Sequence, residues 1–352
     1  MIARRDDKRA GRPRGDLDTT LAALGGAAPA EALSALIAGG HDRLPWPGGG
    51  STLARWRAFA AVAHRDLSLA KLFEGHCDAL AILHELGADA LAAGATGAGR
   101  AADTPPRWAV WAAEGSDNHV TVVRRDGDAA VLSGRKGWCS GAHDVERALV
   151  TCWDGESGPH LACIDLHSPG VDVQDGGWHA VGMAATRSVP VRLYNAPAAL
   201  VGDAGDYLAR AGFWQGGAGI AACWYGGAVA LADALHARAS RDDAGRHAAL
   251  GDVDAALHAA AAALREAAAA IDADPSADAM ALALRVRRIV EHAATSVLAI
   301  AGESLGAPAY CLDARFARTA ADLPVFLRQS HGARDAAALG ARIADEVPRW
   351  RL

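Results

Sequence analysis

The chain has 352 residues, a formal net charge of −6 and a hydrophobic share of 51%, with Gly far commoner than any aromatic residue. That length supports two or three packed units around a sizeable core. The acidic balance offers no dominant basic face, which argues against a nucleic-acid partner, and the Ala-rich composition predicts closely packed helices, because Ala costs least to hold in a helix.

Residues 1–16, MIARRDDKRAGRPRGD, are basic but lack the apolar stretch of a signal peptide, and read as a flexible, solvated arm. Residues 17–106 read as a helical domain. Leu17, Leu21 and Leu24 recur near helical spacing, as do Leu33 and Leu36, before the loop LPWPGGGST (44–52) interrupts. The stretch RDLSLAKLFEGHCDALAILHELG then predicts one long amphipathic helix ended by Gly87. Glu74, His76 and Asp78 suggest a metal site only superficially, since residues two apart on a helix do not face each other.

Residues 107–205 change character to short alternating runs such as HVTVVRR, AAVLSGRKGWC, RALVTCW and HLACIDL, punctuated by Gly, Asp and Pro. This predicts a small antiparallel β domain. Residues 206–352 return to helical patterning, with helices expected over 213–240, 248–273, 277–305 and 320–347 as a C-terminal four-helix bundle. The Ala-rich face 255–270 makes that bundle a natural interface for a homodimer or homotetramer. The fold class expected is therefore mostly α, of the α+β kind. Charge breaks the Ala-rich runs before about 18 residues, so no membrane span is expected. Cys77, Cys139, Cys152, Cys163, Cys223 and Cys311 stand singly, without zinc-ligand spacing, and read as reduced cytoplasmic thiols. Neither GxGxxG after a strand nor GxxxxGK[ST] occurs.

Local motifs sharpen the picture. Gly134–Ala142 (GRKGWCSGA) resembles the acyl-CoA dehydrogenase strand G-x-K-x-W followed by Ile/Cys-Thr/Ser. Trp178–Ser188 (WHAVGMAATRS) resembles that superfamily's "lGmrat.s" segment, and Trp111–Asp117 (WAAEGSD) a shortened T-E-P-G-x-G-S-D. The resemblance spans roughly residues 44–339 and is firmest in the β segment. It implies FAD as cofactor, with Trp138 against the flavin ring, Ser140 near N5 and Cys139 supplying backbone contact. Ala112, Ala113 and Ser116 fall where the superfamily holds the ring edge and pyrophosphate.

The resemblance also implies α,β-dehydrogenation of an acyl thioester or related acyl group, with electrons passing to an electron-transfer flavoprotein. That chemistry needs a carboxylate base. In the loop that usually carries it, this chain offers Ser330 or His331; in the other family position it offers Gly216–Gly217. The partner-clamping R-x-x-F-G loop is reduced to Arg246-His-Ala-Ala-Leu-Gly251. The stretch around Asp322–His331 also resembles the R-D…H of flavin monooxygenases of the same fold, and a neutral imidazole suits a general base. His331 is thus the catalytic residue implied, Glu303 a weaker substitute carboxylate, and Asp322 and Arg328 read as holding the last helix and loop in place. The leading reading is an FAD-dependent oxidoreductase acting on CH–CH donors. A flavin monooxygenase and a catalytically inactive scaffold are the alternatives.

Overall fold

A computed structural model describes residues 15–92, 105–115, 118–155, 158–240, 243–344 and 350. Five helices come first: α1 (Leu17–Ala23), α2 (Pro29–Ala38), α3 (Thr52–Arg65), α4 (Leu67–Glu85) and the short α5 (Asp89–Ala92). Seven strands follow: β1 (Trp108–Trp111), β2 (Val120–Asp126), β3 (Ala129–Cys139), β4 (Arg147–Asp154), β5 (Gly158–Asp165), β6 (Val171–Val173) and β7 (Val189–Val201). Helices α6 (Asp206–Ala209), α7 (Gly212–His236), α8 (Ala244–Ala273), α9 (Met280–Leu312), α10 (Ala314–Phe326) and α11 (Ala333–Ala344) complete the described chain. The basic arm lies outside the described residues, apart from Gly15 and Asp16.

The expected helix from Arg65 begins instead at Leu67. Asp66 takes an extended conformation and its carboxylate accepts the Leu69 N–H, ending α3 and capping α4. Nor is α4 amphipathic. Its first half packs into the helical core (Leu69, Leu72, Phe73), its second half (Ala79, Leu80, Ile82, Leu83) packs on the sheet, and Glu74 and His76 are buried too. The start of α3 has no cap of its own. Asp272 near the end of α8 supplies one, accepting from Thr52 N and Thr52 Oγ1.

The sheet is mixed rather than antiparallel as expected: β1 runs parallel to β4, and β2 touches β4 in parallel through Thr121 and Trp153. The pairings β4–β2–β3–β7–β5–β4 form a closed circuit, with β1 and β6 added at its margins. Closure leaves few unpaired edges. Alternation along the strands divides their side chains between two cores. Ala148, Val150, Ala162 and Ile164 point into the sheet's own core, while Leu149, Leu161 and Cys163 face α4.

The expectation that charge interrupts every long apolar run fails at α7, the one helix among the described residues long and apolar enough to cross a membrane. Most of its apolar window is buried inside the protein, against α3, α8, α9 and α10, so it is built as a core helix. Gly226 sits where a Cβ would lie 2.2 Å from the Ala60 carbonyl oxygen, which fixes how closely α3 and α7 approach. The final helix expected over 320–347 is instead two helices, α10 and α11, separated by residues 327–332; the break expected at Gly306–Pro308 is a kink at Gly306 (φ 64°, ψ −167°) inside α9.

Candidate functional site

The ends of β1 and β3 meet, and buried polar contacts hold them. Lys136, almost fully enclosed, directs its ammonium to the Ala113 carbonyl (3.1 Å), Glu114 Oε1 (2.8 Å) and Thr151 Oγ1 (2.6 Å). A buried ammonium without such acceptors would be very costly. The lysine therefore fastens the turn Ala112–Glu114 to β3. On the next residue, the Gly137 N–H donates to the buried Asn118 Oδ1 at 2.7 Å, and a Cβ on Gly137 would come within 2.5 Å of that oxygen.

Pinned on both sides, β3 leaves its register with β7 between Lys136 and Cys139, and Trp138 adopts a left-handed φ of 56°. Such a conformation is uncommon for a bulky residue and persists where its surroundings enforce it. Its consequence is an indole standing 62% exposed beside a tightly ordered backbone. Cys139 turns the other way into the sheet core, and burial pushes its thiol up to about 12.

Ser140 follows. Its hydroxyl shares a hydrogen bond with Ser188 Oγ (2.8 Å), which shares one with Thr186 Oγ1 (2.7 Å); Thr186 in turn donates to the Met183 carbonyl at 2.7 Å. Trp111 Nε1 donates to the Ser140 carbonyl. Gly141, at φ 71°, leaves no room for a Cβ, which would lie 2.8 Å from Leu72. An exposed flat apolar ring next to an ordered hydroxyl row suits a planar heteroaromatic group with a polar edge, so these residues fit the flavin that the resemblance implies.

Beside this platform, α4, α7 and α9 enclose a network of charges. Lys71 lies 3.0 Å from Glu74. Arg287 donates to the Gly217 and Gln329 carbonyls, each at 2.9 Å, and its guanidinium covers the Trp224 ring at 5.0 Å. Burial draws the arginine below its ordinary range while Asp335, Glu291 and Glu74 oppose the shift. Ser330 Oγ donates to Glu291 (2.8 Å), which also pairs with Arg288.

Of the residues expected from sequence, Ala112, Ala113, Trp138, Cys139 and Ser140 come together here, with Cys139 facing away. Ser116 lies outside the described residues. His331 is engaged at the start of α11, where its N–H donates to Asp335 and its ring lies 3.3 Å from that carboxylate, with the side chain 57% exposed. Glu303 is exposed on α9. Asp322, on α10, accepts the Met183 N–H and so ties α10 to the sheet unit rather than to the last loop; Arg328, between α10 and α11, lies 3.7 Å from Glu291. Arg246 lies against its own helix start, with Nη1 on the Arg238 carbonyl and beside Asp243. Sequence reasoning missed Lys71, Lys136, Asn118 and Arg287; only Lys136, two positions before Trp138 on a strand, carried a readable signal.

No protein-family model matches the sequence, and no curated protein does. Solved structures, by contrast, match nearly end to end. KijD3 in complex with FMN and dTDP-3-amino-2,3,6-trideoxy-4-keto-3-methyl-D-glucose superposes with a TM-score of 0.75 at 20% identity, over 95% of this chain and 91% of that one. FMN-bound TdsC, the dibenzothiophene monooxygenase of Paenibacillus sp. A11-2, gives 0.77 at 18% identity, over 94% and 96%. A probable acyl CoA dehydrogenase from Mycobacterium abscessus gives 0.76 at 16%, over 93% and 97%. The chain has the acyl-CoA dehydrogenase fold, mostly helical around a central sheet unit.

Proposed function

We propose that this chain is a flavin-dependent oxidoreductase that carries its flavin against Trp138 and Ser140. The observation that carries the reading is Trp138 itself: the fold bends a strand to a left-handed conformation and leaves a large indole uncovered beside the Ser140–Ser188–Thr186 hydroxyls. A flavin would supply electron transfer and, once reduced, reaction with O₂. The protein's share is to stack the ring on Trp138, to offer the Ser140 hydroxyl at its edge, and to hold both rigid through Lys136 and Asn118.

Two finer choices follow. FMN is favoured over FAD, because Arg246 is committed to its own helix start and the clamp for a partner's pyrophosphate is not in place; the FMN complexes of KijD3 and TdsC agree with this choice. Oxygen-using chemistry with reduced flavin from a partner reductase is favoured over dehydrogenation of an acyl thioester with an electron-transfer flavoprotein. Abstraction of an α-proton needs a free carboxylate; the segments Gly216–Gly217 and Gln329–His331 supply none and are bridged by the Arg287 guanidinium, and Glu291, which reaches Ser330, is held by Ser330 and Arg288. A guanidinium stabilises anions and takes no proton. His331, more than half exposed and turned to Asp335, is inferred to steady the start of α11 rather than to act as the base.

The test is optical. The purified protein, titrated with FMN and separately with FAD, should develop a bound-flavin spectrum, tighter with FMN. Trp138→Ala should weaken uptake by roughly tenfold, the worth of an aromatic stack. Anaerobic acyl-CoA should leave the flavin oxidised; bleaching by acyl-CoA would restore the dehydrogenase reading. A protein that stays colourless in both titrations would leave the scaffold reading standing.

A further inference from the structure

A cleft of about 570 Å³ opens between the α1–α2 turn, the junction of α3 with α4, and α10. That volume lies in the range of small-molecule sites. The cleft is separate from the flavin platform, since none of Trp138, Ser140, Thr186 or Ser188 lines it. One wall is a single face of α10: Arg315, Arg318, Thr319 and Asp322 follow one another at helical spacing, and all four line the cleft. The remaining walls include an apolar surface from Leu21 and Ala22 of α1, Pro29 of α2, and Leu67 and Leu69 of α4.

The polar groups of the cleft have donors to spare. A guanidinium carries five N–H groups. Arg318 makes no hydrogen bond among the described residues, and its nearest partner, Asp66, lies 4.0 Å away. Arg315 uses only Nη2, on the His64 carbonyl and ring, and Arg65 uses only Nη2, on the Gly25 carbonyl. Thr319 retains only 9% exposure, yet its hydroxyl has no hydrogen-bond partner among the described residues. A buried hydroxyl is normally bonded, so this one is left for a group that enters the cleft.

The carboxylates on the same walls are already committed. Asp66 Oδ1 accepts the Leu69 N–H at 2.7 Å, and Asp322 Oδ1 accepts the Met183 N–H. Asp18 stands in the first turn of α1, where it meets the positive end of the helix. Together they offset Arg65, Arg315 and Arg318, so the cleft holds no excess of positive charge for a dianion. A single carboxylate matches it better, because two acceptor oxygens fit the paired donors of one guanidinium.

We propose that this cleft is a second binding site, apart from the flavin platform, for a small monocarboxylate with an apolar body. Arg318 and Thr319 hold the carboxylate, and the leucine and alanine walls take the body. The site shares no residue with the platform, and its occupancy is measured without bound flavin.

Benzoate and benzamide have the same shape and differ in the charge of the head; inorganic phosphate offers a dianion without a body. Binding of each to the full-length protein is followed by ligand-observed NMR. Wild type should prefer benzoate to benzamide by about tenfold, the usual worth of a hydrogen bond to a charged donor, and should prefer it to phosphate. Arg318→Gln should remove that preference by weakening benzoate alone. Thr319→Val should weaken both organic probes, and Thr319→Ser should restore them. Arg57→Gln removes the same charge from an exposed position on α3 outside the cleft, and should change nothing. Circular dichroism checks the fold of each variant; Arg318 is 67% exposed, so its replacement leaves the core intact. Benzoate that does not bind, that binds no better than benzamide or phosphate, or that keeps its affinity in Arg318→Gln overturns the proposal. An equal loss in Arg57→Gln does so too, since it reduces the effect to net charge.

Discussion

Asp322 joins a titration to the docking of the sheet unit on the helices. It is buried on α10, accepts the Met183 N–H, and burial pushes its carboxyl up to about 6, with nearby Asp66 acting in the same direction and Arg318 against it. A carboxyl raised in the folded state holds its proton to higher pH than the unfolded chain does. Between about 4 and about 6 the folded form therefore binds more protons, and stability falls as pH climbs through that window, then levels off. Asp322→Asn keeps the acceptor oxygen and removes the titration. In urea denaturation its midpoint, relative to wild type, should rise from pH 4 to pH 7; a difference that stays constant across that range would rule the effect out. Sequence reasoning reached Asp322 as an anchor, and reached Trp138 and Ser140 through a local motif that lies on one strand. Lys71 and Arg287 were invisible to it, because a lone Lys or Arg in a helix usually reads as a solvated face, and the acceptors of Arg287 lie on other elements. His331 was legible as chemistry but not as position: its exposure and its Asp335 contact depend on where α11 turns.

At the scale of elements, glycine sets the shape of α9. Gly306 adopts φ 64° and ψ −167°, a region essentially closed to residues with a side chain, and a Cβ there would meet nothing closer than Pro308 Cδ at 3.8 Å. The cost of filling it is thus conformational rather than steric. Gly306→Ala should destabilise the protein by about 1–3 kcal/mol, read as a lower urea midpoint with an unchanged slope. A variant as stable as wild type would mean that the kink relaxes into a continuous helix. Breaks of this kind were readable, since Gly87 and Gly306–Pro308 announce themselves by residue type. The break at Asp66 was not, because RDLSLA continues a helical pattern and only the capped Leu69 N–H reveals the stop. The parallel pairing of β1 with β4 was equally hidden. Both are short, nearly continuous buried runs (WAVW and RALVTCWD), which do not by themselves tell which neighbour each strand pairs with or in which direction.

The whole molecule depends on a tight seam where the segment 182–188 of the sheet unit meets α10. Gly182 lies so close that a Cβ would stand 2.0 Å from the Ala321 carbonyl oxygen, and the next residue donates its N–H to Asp322. From Met183 the contacts run without interruption: its carbonyl accepts from Thr186, Thr186 bonds Ser188, and Ser188 bonds Ser140. The seam therefore does more than join two units, because it fixes the hydroxyl that the proposed flavin edge would meet. Pushing it apart should affect the site first, since the larger contact between the helices and the sheet, Ala79–Leu83 of α4 against Trp108, Leu149 and Leu161, does not include the seam residues. Gly182→Ala should retain its circular dichroism spectrum yet take up FMN at least about tenfold more weakly, as expected when a site supported by hydrogen bonds loses its geometry. Thr186→Val, which removes the hydroxyl in the middle of the row without touching the seam, should lower FMN affinity as well. If both variants bound FMN as wild type does, the hydroxyl row would be a structural strut and the flavin would owe its place to Trp138 alone. If only Thr186→Val weakened binding, the row would matter and the seam would be free to yield.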